Sequence, residues 1–232
     1  MKNTLLNNIK TFIPSSKSEL IDYAFRKKKI LIAINAEKIL NRSSIFKNIV
    51  NSNVGYPDGF GAVLALKKKG FHNSFKIPGC ELWLQIVSNF YKSKSFYLIG
   101  GNQRVLEGAL KRLRSDFKGI NILGSRNGYF KDENQKKIVI EDIVKKSPDI
   151  IFVAMGSPNQ EYFMFEIQKR YEALYQGLGG SLDVYVGDIN RAPKFMIDNN
   201  LEWAYRLIKQ PFRIFRQIHL FRFFVLLKLN RI

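Results

Sequence analysis

The sequence predicts an α/β protein, a Rossmann-like parallel sheet flanked by helices, with a basic helical C-terminal appendage. Two observations predict it. Short apolar runs rich in β-branched and aromatic residues alternate with longer stretches of helical period, the signature of parallel strands joined by crossover helices. After Arg191 the chain turns basic and keeps a helical pattern.

In chain order, Ile30–Ile34 is the first such run and Ala36–Asn51 the first helix-like stretch, followed by a second at Gly59–Lys69 that stops at Gly70. Phe96–Ile99 is a strand that runs into the turn Gly100–Gly101 and a helix at Asn102–Phe117. Lys118–Gly119 returns the chain to a strand at Ile120–Leu123, and a helix follows at Asn134–Lys146. Ser147–Pro148–Asp149 then leads into the strand Ile150–Met155 and the helix Asn159–Tyr171. A third glycine-rich turn spans Gly177 to Asp183. With 232 residues, 46% of them hydrophobic, the chain can bury one substantial core, so residues 1–190 are expected as the α/β core and 191–232 as the appendage.

The appendage carries nine Lys/Arg and two Asp/Glu, net +7, within a chain of net +19. Such a field draws in polyanions: nucleic acid, anionic lipid or phosphorylated substrates. On a helical wheel Arg206, Lys209, Arg213, Arg216, Lys228 and Arg231 gather on about a third of the circumference, with Leu220, Phe221, Phe224 and Leu227 elsewhere. Pro211 is expected to break the helix. The longest late apolar run, Phe223–Leu227, is far short of the roughly 20 residues that span a bilayer, so membrane contact is expected to be peripheral. The N-terminal segment lacks a signal-peptide core, and the single cysteine, Cys80, rules out an internal disulfide and fits a reducing cytoplasm as a small buried residue.

Several places could carry chemistry. Asp58 stands in the turn Tyr56-Pro57-Asp58-Gly59-Phe60-Gly61, just before an apolar helix. It could cap that helix, or act as a general base toward an attacking hydroxyl. Gly156-Ser157-Pro158-Asn159-Gln160-Glu161 follows a buried strand and opens a helix, with Ser157 fitting an N-cap, Pro158 the first helical position and Gln160, three residues after the cap, completing a capping box. A helix N-terminus at the carboxyl edge of a parallel sheet also suits a phosphate. His72 and His219 stand alone, no His/Cys/Asp/Glu pair has metal-ligand spacing, and no Asp-x-Asp occurs, so neither metal nor cofactor is expected.

Taken in order, Asn35-Ala36-Glu37, Pro57-Asp58-Gly59, Pro78-Gly79-Cys80-Glu81-Leu82, the stretch Gly124 to Phe130, Gly156 to Glu161, Arg191-Ala192-Pro193 and Leu201 to Leu207 resemble the WecG/TagA/CpsF family of bacterial glycosyltransferases. The resemblance runs from about Lys29 to Gln217. It implies an inverting, metal-independent transfer of a sugar, N-acetylmannosamine-like or related, from a UDP-sugar to an undecaprenyl-diphosphate-linked acceptor in the assembly of a cell-surface polysaccharide or teichoic acid. It also implies residue roles. Asp58 matches the catalytic base, Asn35 a pocket residue and Gln160 a donor-positioning residue, with Glu161 beside it in the same motif. Lys76 and Arg191 would bind substrate, joined by Arg206 and Arg213 of an appendage that packs over the site at an anionic membrane surface. The implied location is peripheral, on the cytoplasmic face of the inner membrane, with a homo-oligomer left open. Four positions depart from the pattern: Ala33 for a frequent Thr, Lys76 for Arg, Glu81 for Asp and Asn159 for Lys. Lys76 keeps the charge and loses the bidentate fork. A basic nucleic-acid-binding protein is the competing reading, although glycine turns at strand ends argue against a nucleic-acid partner. A nicotinamide oxidoreductase would want the absent G-x-G-x-x-G.

Overall fold

In the computed structural model, residues 1–198, 201, 204, 205, 208 and 214–232 are described, without the side chains of 198 and 214–219. An antiparallel hairpin, β1 (Lys2–Leu6) and β2 (Ile9–Ile13), precedes a six-stranded sheet. The sheet comprises β3 (Ile30–Ile34), β4 (Val54–Pro57), β5 (Ser95–Gly100), β6 (Asn121–Arg126), β7 (Ile150–Ala154) and β8 (Leu174–Gly177). Its order is β4-β3-β8-β7-β5-β6 and every neighbouring pair is parallel, as the alternation of apolar runs and helices predicts.

Helices cover both faces. On one lie α2 (Ala36–Ile39), α3 (Ser44–Ser52), α4 (Phe60–Lys68), α7 (Glu133–Lys146) and α8 (Asn159–Gln168), which bury Ile39, Phe46, Leu66, Ile143 and Met164 against Ile32, Ile34 and Val153. On the other lie α1 (Lys17–Arg26), α5 (Gly79–Phe90), α6 (Gln103–Asp116) and α9 (Ser181–Val186), which bury Leu20, Trp83, Leu106 and Leu182 against Leu31, Leu98 and Phe152. A short α10 (Lys194–Asp198) follows, and α11 (Ile214–Lys228) returns to pack on α2 and α4 with Phe223 fully buried. Among the described residues no helix is long and apolar enough to cross a membrane.

The structure corrects three expectations. The single helix expected at Ala36–Asn51 is two, because Ser43 caps a new start by accepting the Phe46 N–H at 3.2 Å. Ser157 does not cap α8: Pro158 occupies the cap position and the helix begins at Asn159. The Gln160 amide is turned inward and buried, and it bonds elsewhere. Cys80, expected to be buried, is only partly so, in the first turn of α5. The expected break at Pro211 and the wheel positions Arg206, Lys209 and Arg213 lie outside the described residues, as does the side chain of Arg216.

Candidate active site

The carboxyl ends of β4, β3, β8 and β7 bring most of the candidate residues to one edge of the sheet. β3 ends at Ile34, so Asn35 is the first residue past it; there its Oδ1 accepts the Lys38 N–H at 3.0 Å and caps α2. β4 ends at Pro57, and the Asp58 N–H donates to the Ile34 carbonyl at 3.0 Å, which extends the β3–β4 ladder by one residue. Asn35 and Asp58 thus leave adjacent strands together. A Cβ placed on Gly59 would sit 3.4 Å from the Asn35 Cβ, so the two turns touch.

Asp58 does not cap the helix that follows it. The N-cap of α4 is Gly59, which has no side chain to offer, and the Asp58 Oδ1 instead accepts the N–H of Gly79, first residue of α5, at 2.7 Å. The loop carrying Lys76 makes this possible, since the Ile77 N–H donates to the Pro57 carbonyl at 2.8 Å and lays the start of α5 alongside the end of β4. From β8, the Gln176 Nε2 donates to the Gly79 carbonyl at 3.1 Å. Tyr56, fully buried under this turn, keeps its proton: burial, then the charge of Asp58, pushes the phenol well above its usual value of 10.0.

On the other side, Gln160 and Glu161 enter from the first turn of α8. Glu161 is 1% exposed and its Oε1 lies 2.7 Å from the Nζ of Lys38, itself buried. The Gln160 Nε2 donates to the same oxygen at 3.2 Å, while its Oε1 accepts the Gly179 N–H at 2.9 Å. A Cβ on Gly177 would lie 2.4 Å from the Gln160 Nε2, so only glycine lets the amide reach across β8. Glu161 therefore acts inside the protein, tying α8 to α2.

The turn Gly156-Ser157-Pro158 ahead of α8 is open to solvent at Ser157 and Pro158. Beside it, between β7 and β5, the Gly101 N–H donates to the Ala154 carbonyl at 3.0 Å and the Gly128 N–H to the Gly101 carbonyl at 2.9 Å. The helices that follow these two strands, α8 and α6, lie on opposite faces of the sheet, which makes this the point where the topology reverses and where open α/β sheets take their ligands.

Arg191 lies at the rim, where its Nη2 is 2.8 Å from the Glu81 Oε1; Lys17 holds the other oxygen at 3.2 Å. Burial works to raise the Glu81 pKa, but the hydrogen bonds and charges of Arg191 and Lys17 outweigh it and leave it below the ordinary value. Arg206 and Arg213 lie outside the described residues.

The structure thus brings Asn35, Asp58, Gln160 and Glu161 to one sheet edge, with Arg191 joined through Glu81 to the first turn of α5. Reading the sequence missed Lys38, Tyr56 and Gln176. A signal for the last was present: Gln176 is a lone amide in the apolar run Ala173 to Gly177, and a polar residue in a buried strand needs a partner. The family model described as the glycosyl transferase WecG/TagA/CpsF family matches residues 10–232, nearly the whole chain.

Proposed function

Because the chain belongs to the WecG/TagA/CpsF family of glycosyl transferases, we propose that it inverts an anomeric carbon in moving a sugar, N-acetylmannosamine-like or related, from UDP to a polyprenyl-diphosphate-linked acceptor, with Asp58 as general base. One observation carries the role of Asp58. It is an acidic residue at the carboxyl end of a parallel strand, directly beside Asn35, with its carboxylate accepting the Gly79 N–H at the start of α5. Such a carboxylate takes the proton of the acceptor hydroxyl as that oxygen bonds to the anomeric carbon. The bond from that carbon to the UDP oxygen breaks on the opposite side, and UDP leaves with the electron pair.

The diphosphate is assigned to the open turn before α8, where the positive end of the helix dipole favours negative charge, although the N–H groups of Gln160 and Glu161 already donate to the carbonyls of Gly156 and Pro158. Lys76, Arg191, Arg206 and Arg213 would offset the charge on the departing phosphate, doing without a metal ion. Gln160 would fix the turn by holding Gly179, and Asn35 would line the pocket.

Residues 191–232 are assigned as an appendage resting on an anionic membrane surface at the cytoplasmic face. The support is its net charge of +7 and the exposed apolar side chains of α11, Phe221, Phe224 and Val225, next to the exposed Arg222 and Lys228. Deleting the residues after Pro193 should lower binding to acidic liposomes and activity on a lipid-linked acceptor together. A truncated protein that still pellets with acidic liposomes in moderate salt would remove this role.

The reaction is tested by UDP release from a panel of UDP-sugars, with and without a short-chain lipid-diphosphate acceptor, for wild type and Asp58→Asn. Acceptor-dependent release that falls by roughly 10²–10⁴ in the variant supports the assignment. Near-normal turnover in the variant would sink it.

A further inference from the structure

Gln176 occupies the middle of the sheet, fully buried in β8, where an amide side chain costs free energy unless it is bonded. Its Nε2 donates to the Gly79 carbonyl at 3.1 Å. The N–H of the same residue is the donor to Asp58 Oδ1 at 2.7 Å. Gly79 is therefore gripped from two sides, through its carbonyl by β8 and through its amide by the candidate base. It also has no room to grow: a Cβ there would lie 3.0 Å from the Tyr56 hydroxyl and 3.5 Å from Asp58 Oδ1. Beside it, the Gln176 side chain also meets the Tyr56 phenol, working to lower its pKa against burial and the Asp58 charge.

We propose that Gln176 is a positioning residue that sets the orientation of the Asp58 carboxylate through Gly79. The assignment rests on the reading of Asp58 as the general base. Because Gln176 acts at one remove, its loss should change the rate of the chemical step and not the affinity for the donor. Two residues linked in this way are also non-additive.

The test is a two-background comparison by UDP release with lipid-diphosphate acceptor. Gln176→Met keeps the length of the side chain and removes the donor. In the wild-type background kcat should fall roughly ten- to a hundredfold, the scale set by misplacing a catalytic group by about 1 Å. The KM for the UDP-sugar should stay within about twofold, as expected when transition-state stabilisation alone is lost. In the Asp58→Asn background the same substitution should cost little further turnover. An equal loss in both backgrounds, or none in wild type, would overturn the proposal. Gly79→Ala disturbs the same link from its other end and is scored by the same comparison, so the test does not depend on how well Gln176→Met folds. Wild-type turnover in Asp58→Asn itself would instead overturn the base assignment, so the two failures are distinct.

Discussion

Asp58 and Gly79 are 21 residues apart, yet the Asp58 carboxylate accepts the Gly79 N–H at 2.7 Å, so the candidate base doubles as the N-terminal cap of α5. The two duties separate by substitution. Asp58→Asn keeps an oxygen for the Gly79 amide and loses basicity, so its stability to urea should match wild type while turnover collapses. Asp58→Ala loses both and should unfold about 1 kcal/mol more easily, the usual cost of a lost cap. Equal destabilisation in the two variants would show that the charge, not the acceptor oxygen, holds α5.

Lys38 and Glu161 form the buried ion pair of the site, 2.7 Å apart at 9% and 1% exposure. Glu161 Oε2 is buried without a hydrogen-bond partner, so this carboxylate leans on Lys38 and Gln160. Removing one member strands the other's charge away from water, and Lys38→Met or Glu161→Gln should each cost about 3–5 kcal/mol in chemical denaturation. Replacing both with apolar residues of similar volume should recover most of that loss. Additive losses in the double variant would mean that each residue stabilises the fold by itself.

Much of this was legible in the sequence, and the failures have physical causes. The apolar strands β3, β5 and β7 and the helices α6 and α7 were found to within a few residues, because continuous burial and the 3.6-residue period leave a direct trace. Missed along with the N-terminal hairpin, α1 and α5 were the four-residue strands β4 and β8, too short to show a period; they carry Tyr56 and Gln176. The capping pattern at Ser157 to Gln160 misled because a capping box describes a solvated helix end. Here the glutamine amide finds Gly179 and Glu161 inside the protein. The bond from Gln176 to Gly79 spans 97 residues, and no local pattern could foretell it.

Phe223 ties α11 to the site-bearing helices. Its ring is fully buried, and a Cβ on Gly61 would lie 3.1 Å from it and 3.3 Å from the Ala36 Cβ, so the ring fills a notch between α4 and α2. Lys68 of α4 adds hydrogen bonds to the carbonyls of Leu227 and Lys228 at the end of α11. Phe223→Ala empties a site of a kind that costs about 3–5 kcal/mol when truncated, more than one docked helix can be expected to spare. Limited proteolysis should then cut within residues 191–232 much faster than in wild type, with the core fragment persisting. Gly61→Val, which fills the notch from below, should do the same, and unchanged protection in both variants would refute the docking role.

Glu81 gives the rim a pH dependence whose direction is fixed. Burial opposes its ionisation, but Arg191 at 2.8 Å and Lys17 at 3.2 Å leave its folded pKa below the ordinary 4.5. A carboxylate whose pKa drops on folding stabilises the fold fully above its unfolded value. That contribution is lost as the pH falls through the folded value. The Glu81 side chain is 39% exposed, so screening keeps the effect within about 1 kcal/mol. Urea melts of wild type and Glu81→Gln should therefore differ most at pH 7 and converge below pH 4.5, as wild-type Glu81 takes up its proton and its two cations lose their partner. The same substitution at neutral pH frees Arg191 from its anchor on α5, and it should raise the KM for the UDP-sugar if that guanidinium serves the donor phosphates. A gap in stability that widened on acidification would mean that protonated Glu81 is the form the fold prefers, which the geometry of its two cations argues against.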